Sequence, residues 1–179
     1  MAVAVLTSCQ SDSYYIKGEA SMMPDGTVLY ITHRLDTHEP YDSMIVSNGY
    51  FHYRDTTNTV RLCMIYAPSH PQAQVSFFTE PGNIYIELTP HTARSRVSGT
   101  TLNNQWQALH DTVAHYDRQL RYIVVTKSQA TTPGDSLSPT RLHAQVKRLY
   151  QALEQRISET ALTNRDNALG RFIISAHSK

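Results

Sequence analysis

Along the first hundred residues apolar and polar positions alternate with a period of two; beyond Gly99 the apolar ones recur every three or four. Strict alternation predicts half-buried strands and the longer period an amphipathic helix. Tyr14–Ala20 sets Tyr14, Ile16 and Gly18 against Tyr15, Lys17 and Glu19, the first strand. Pro24-Asp25-Gly26 is a turn, since Pro presets one dihedral and Gly accepts the left-handed one. Thr27–Arg34 follows, rich in β-branched and aromatic residues. Tyr41–Ser47 and Tyr50–Thr56 flank Asn48-Gly49, the strongest short-range hairpin signal. Val60–Ala67 and Ala73–Thr79 are separated by Pro68-Ser69-His70-Pro71. Asn83–Leu88 puts Ile84, Ile86 and Leu88 on one face, and Arg94–Ser98 is a last short strand.

The second half has the helical period. Leu102, Trp106, Leu109, Val113, Tyr116, Leu120 and Ile123 form one stripe, with Thr100 or Thr101 as its cap. Thr126–Leu137 is polar, contains Pro133-Gly134-Asp135, and is predicted to be a loop. Ser138-Pro139 opens a second helix, Ser as cap and Pro at the first helical position. Its stripe is Leu142, Val146, Leu149, Leu153, Ile157 and Ala161. Asn164–Asn167 breaks it, and Ala168–Ala176 is a third, short helix with Leu169, Phe172 and Ile173 inward. Strands followed by helices predict an α+β fold. It consists of an antiparallel β-sandwich or partly open barrel of seven to eight strands, then two to three helices. A doubly wound parallel sheet has no room for its crossover helices.

Composition narrows the function classes. The chain has 179 residues, 16 basic and 15 acidic, for a net charge of +1. No basic stripe stands out over the chain, so no nucleic-acid partner is expected. No apolar run approaches the roughly 20 residues of a spanning helix. Two cysteines, Cys9 and Cys63, make neither a Cys-x-x-Cys pair nor a cysteine-rich metal cage. Cys63 sits in the apolar context Arg-Leu-Cys-Met-Ile-Tyr and is expected to be a buried, structural thiol.

Cys9 invites a different reading. A short apolar run leads to Leu6-Thr7-Ser8-Cys9, the form of a bacterial lipoprotein signal in which the thiol takes a diacylglyceryl group. No Lys or Arg precedes Cys9 and the apolar run is at the short end of what a leader needs. A start codon placed too late or a trimmed leader accounts for both; a cysteine unrelated to lipid in an N-terminal tail is the alternative. With lipidation at Cys9, residues 1–9 are the signal remnant, 10–13 a tether, 14–99 the β domain and 100–179 a helical appendage. The protein is then attached to a bacterial membrane, on the periplasmic side or at the cell surface.

Several motifs carry a family resemblance. They are Tyr15-Ile16-Lys17-Gly18 with Asp25-Gly26-Thr27-Val28-Leu29-Tyr30, and Asp42-Ser43 with Val46-Ser47-Asn48-Gly49-Tyr50-Phe51. Phe77-Phe78-Thr79-Glu80-Pro81-Gly82 and Val97-Ser98-Gly99-Thr100 with Asn103 continue the order. From about residue 14 to 125 the chain resembles a β-rich domain of unknown function in envelope lipoproteins of Bacteroidetes-type bacteria. In that family the domain commonly precedes a thioredoxin-like domain, in thiol:disulfide interchange proteins. The resemblance implies an extracytoplasmic, lipid-anchored accessory domain, with a thioredoxin-like domain as a possible protein partner. It implies no redox activity for these residues, which lack paired cysteines.

Candidate chemistry is thin. Nine histidines include no His-x-x-x-His or Glu-x-x-His pair, and His110 and His115, five apart, do not share a helix face. Asp36, Glu39, Asp42 and Asp55 lie beside turns, where Asp commonly bonds its own backbone. There is no Gly-x-Ser-x-Gly and no glycine-rich phosphate loop. Tyr30, Tyr41, Tyr50, Tyr53, Tyr66 and Tyr85 are expected chiefly to pack in the sheets, with an exposed binding platform as the alternative. Trp106 is expected to staple helix to sheet. These readings predict no catalytic residues, metal or cofactor. They predict an accessory or interaction module; the rivals are the front part of a thiol:disulfide oxidoreductase and a glycan- or peptide-binding sandwich.

Overall fold

The computed structural model describes residues 12–57, 59–91, 94–128 and 139–177. The chain divides into two compact units, one ending at Asn104 and one beginning at Gln105. The first holds eight strands: β1 (Ser13–Glu19), β2 (Val28–Thr32), β3 (Asp42–Ile45), β4 (Tyr50–Thr56), β5 (Leu62–Ala67), β6 (His70–Phe78), β7 (Gly82–Glu87) and β8 (Arg96–Ser98). They form two four-stranded sheets, ordered β4-β1-β7-β8 and β3-β2-β5-β6, with no closed barrel. Three helices follow: α1 (Thr101–Ser128), α2 (Pro139–Thr163) and α3 (Ala168–His177). The α+β class and the strand count are as the alternation predicts.

The inner faces of the sheets meet across an apolar core. Ile16, Leu29, Ile31, Val46, Ile65, Phe77 and Ile84 are fully buried, and the ring of Tyr14 on β1 lies 6.2 Å from that of Phe77 on β6. Burying such a side chain is worth about 1.5–3 kcal/mol. Gly18 faces the same way; a Cβ there would overlap the buried ring of Phe51, its antiparallel neighbour on β4. A side chain and the Phe51 ring cannot share that space.

Two expectations about topology need correction. The sheets are not wholly antiparallel: β1 and β7 run parallel, with Ile16 opposite Ile84 and Gly18 opposite Ile86. A parallel neighbour needs a long crossover, and here β2 to β6 serve as that excursion in place of a helix. Nor does Asn48-Gly49 close a hairpin within one sheet. Its geometry is that of a two-residue turn, with Asn48 at φ 52° and Gly49 at φ 78°. Ser47 and Tyr50 exchange both backbone hydrogen bonds, at 2.8 and 3.0 Å. Beyond that single bridge the strands part, β3 pairing with β2 and β4 with β1. Val46 N–H donates to Thr27 C=O (2.9 Å) while Gly49 C=O accepts from Ala20 N–H (2.7 Å), so each arm is held by a different sheet. The turn is a corner of the sandwich.

β6 begins at His70, three residues earlier than the alternation suggests, and includes Pro71. It is an edge strand, where a residue without an N–H is tolerated. Further along, the amide of Asn103 closes that edge: its Oδ1 accepts from Phe78 N–H (2.8 Å) and its Nδ2 donates to Phe78 C=O (2.9 Å). Thr100 is the cap of α1, its C=O accepting from Asn104 N–H (2.9 Å). The Glu80 carboxylate takes Leu102 N–H (2.8 Å), placing a negative charge at the positive end of the helix.

In the second unit α1 continues through Thr126, Lys127 and Ser128, where a loop was predicted. Ser138 and Pro133-Gly134-Asp135 lie outside the described residues. α2 keeps its predicted stripe, but Leu142, Val146, Leu149, Leu153 and Ile157 are only half-buried. Asn167 explains the break before α3: its Oδ1 accepts from Leu169 N–H (2.9 Å) and Gly170 N–H (3.2 Å), capping the new helix.

Candidate functional site

The site with most chemistry is a cleft of about 390 Å³ in the first unit, opening between the two sheets. Alternation along β1 and β5 turns Tyr14 and Cys63 inward, so both reach its floor. Tyr41 enters from the segment before β3, anchored by its N–H to Ile31 C=O (3.0 Å). His33, Asp55 and Arg61 stand at the wall, with the hydroxyls of several threonines between them.

The polar groups are linked. Tyr14 and Tyr41 hydroxyls lie 3.3 Å apart, and Tyr53 donates to Asp42 Oδ2 at 2.9 Å. The Tyr14 and Tyr53 rings are 6.1 Å apart, and the His33 ring is 5.4 Å from that of Tyr41. Arg61 N–H donates to Thr79 Oγ1 (3.1 Å), and Thr79 N–H returns to Arg61 C=O (3.0 Å), which fixes that wall.

Burial sets the protonation of this cluster. It pushes the Tyr14 phenol up to about 12, against a smaller opposing effect of the hydrogen bond with Tyr41. Tyr41 is raised well above the ordinary phenol range, by burial first and by its bond to Tyr14 second. Tyr41 exposes 41% of its surface, yet its hydroxyl is the end turned inward, and that end titrates. Tyr53 is raised likewise by burial and by its bond to the Asp42 carboxylate. Burial lifts the Cys63 thiol to about 11, with the Tyr41 hydroxyl and the Arg61 charge pulling the other way. All four groups are neutral near pH 7. A thiol raised this far by burial is almost wholly protonated there, and the thiolate is the nucleophile.

Cys63 is buried, as its apolar neighbours predict, and is a free thiol. Cys9 lies outside the described residues. Of the four carboxylates, only Asp55 lines the cleft; Glu39 pairs with Arg34 at 2.8 Å, Asp42 accepts from Tyr53, and Asp36 is exposed. The histidines are dispersed: His52 stacks on Tyr15 and His38 meets Tyr66 edge-on. Among the described residues no three His, Cys, Asp or Glu side chains come together to hold a metal ion.

The tyrosines depart from expectation. None of the six tyrosines expected to pack in the sheets is fully buried: Tyr41, Tyr50 and Tyr85 are 41%, 55% and 47% exposed, and Tyr30, Tyr53 and Tyr66 are half-buried. A strand in a two-layer sandwich has one outward face, and Tyr50 and Tyr85 occupy it. The buried tyrosine is Tyr14, at 1%. Trp106 meets Phe172 of α3 edge-on at 5.4 Å and His110 at 4.3 Å, ring contacts inside the helical unit.

Residues 14–106 match the family described as Domain of unknown function (DUF4369). The chain belongs to that family. No curated protein matches it. No helix of the described residues is long and apolar enough to cross a membrane.

Proposed function

We propose that the chain is an accessory or interaction module of the bacterial cell envelope, held to a membrane through a lipid on Cys9 and without catalytic activity of its own. The observation that carries the non-catalytic part is the burial of Cys63 and Tyr14 at the floor of the cleft. Its thiol and its phenols are raised by burial, the reverse of what activates a nucleophile. Neutral hydroxyls, a thiol and one charge of each sign, Arg61 and Asp55, suit binding. The lipid anchor rests on Leu6-Thr7-Ser8-Cys9 and on the family resemblance, which also nominates a thioredoxin-like domain, fused or separate, as the partner.

Two measurements test this. Mass spectrometry of protein made in a lipoprotein-processing bacterium should show an N-terminal acylated Cys9; an unacylated terminus would refute the anchor. The purified chain should not accelerate reduction of a disulfide substrate by dithiothreitol, and a clear acceleration would refute the non-catalytic reading. A second reading, a glycan- or peptide-binding sandwich, is favoured by the exposure of Tyr41, Tyr50 and Tyr85. Chemical-shift changes confined to these rings on adding oligosaccharide or peptide would select it.

A further inference from the structure

Charge in the helical unit is strongly uneven. Arg118 and Arg121 on α1 and Arg141, Lys147 and Arg148 on α2 are exposed. Between His115 and Leu153, Asp117 is the only acidic side chain among the described residues, and it pairs with Arg121 at 2.9 Å. The whole chain carries only +1, so this end concentrates charge that the rest offsets.

Four of these basic residues, Arg118, Arg121, Arg141 and Arg148, lie on the sides of their helices next to exposed apolar residues or the groove. Arg118, Arg121, Tyr122 and Val125 follow the three-four spacing that lines one side of α1. On α2, Arg141 and Arg148 stand four before and three after Gln145. A groove of about 430 Å³ runs between the helices, lined by His115, Arg118 and Tyr122 of α1 and by Gln145 and Leu149 of α2. Tyr122 is 73% exposed, and Val124 and Val125 are 62% and 51% exposed.

We propose that this α1–α2 face docks onto an anionic lipid surface, the arginines at the phosphates and Tyr122 and Val125 at the acyl boundary. Basic side chains flanking exposed aromatic and aliphatic ones are what an interfacial helix needs. Protruding valines distinguish this face from a nucleic-acid site, which uses flat rings and phosphate contacts. The face acts as a second membrane contact, beyond the proposed lipid on Cys9. The diacylglyceryl group proposed on Cys9 brings two acyl chains and holds the chain at the membrane; this face sets how the helices lie on its surface.

The test uses the full chain as Cys9→Ser, unacylated, so that failure of the anchor and failure of this surface are read separately. In co-sedimentation it should bind vesicles containing phosphatidylglycerol, release with added salt, and leave phosphatidylcholine vesicles unbound. Arg118→Glu with Arg148→Glu should weaken binding about tenfold or more with unchanged helical circular dichroism. Tyr122→Ser, a milder change, should weaken it severalfold with the salt dependence retained. Absence of binding by the Cys9→Ser chain, equal binding to both vesicle types, or equally tight binding to duplex DNA would each overturn the proposal.

Discussion

The two units solve burial differently. Of the twelve largest fully buried side chains, eleven belong to the sandwich and one, Leu169, to the helices. In the sandwich each strand turns alternate residues into a shared interior. In α2 the apolar stripe is complete along the sequence yet only half-covered, and Tyr122, Tyr150 and Leu162 stand out in solvent. The lesson is that an amphipathic pattern specifies a helix without specifying how deeply its apolar face is buried. Deep burial is concentrated in the first unit, while exposed large apolar side chains occur in both, Met22 and Ile45 in the first as well as Tyr122 and Leu162 in the second.

Truncation should separate the units most sharply. Phe77→Ala removes a fully buried ring and should cost about 3–5 kcal/mol, while Leu149→Ala, half-buried on α2, should cost about 1 kcal/mol. Hydrogen exchange read by mass spectrometry checks both, with protection lost across β1, β5 and β6 in the first variant and only locally in the second. Comparable losses would erase the distinction.

Asn103→Ala sharpens it at the sandwich edge. It leaves Phe78 N–H and C=O without their buried partners, and each unsatisfied group costs about 1–3 kcal/mol. Urea denaturation should give an unfolding free energy lower by about 2 kcal/mol or more, and an unchanged midpoint would mean that water replaces the amide.

The units should also respond to opposite ends of the pH scale. Cys63 and Tyr14 hold their protons more tightly folded than unfolded, so their contribution is complete below the ordinary values of 9.0 and 10.0. It is lost as pH rises through about 11 and about 12. His110 is shifted the other way: burial against Trp106 lowers its pKa below 6.5. Its contribution is therefore present above 6.5 and lost as pH falls, a small effect because the residue stays partly exposed. Tyrosine absorbance should follow the alkaline change. Fluorescence of Trp106, the one tryptophan, should follow the acid one.

Much of the fold was legible because alternation and turn chemistry are local. Asn48-Gly49 announces a turn through its own backbone preferences. That it joins two sheets depends on Val46 bonding Thr27 and Gly49 bonding Ala20, which no local pattern encodes. The cleft was hidden for the same reason: Tyr14, Tyr41 and Cys63 come from separate strands and segments and meet only after the sheets stack. Asn103 looked like an ordinary first-turn residue of an amphipathic helix. Its part in closing the β6 edge requires knowing which strand lies beside that turn. The tyrosines misled because aromatic residues suit either face of a strand.

The reactivity of Cys63 tests the account most directly. In the Cys9→Ser protein, Cys63 is both fully buried and raised to about 11, so iodoacetamide alkylation should be very slow at neutral pH and speed up only in strong alkali or on unfolding. Rapid neutral alkylation, with a midpoint well below 9.0, would reveal an activated thiol in the cleft and contradict a module built for binding.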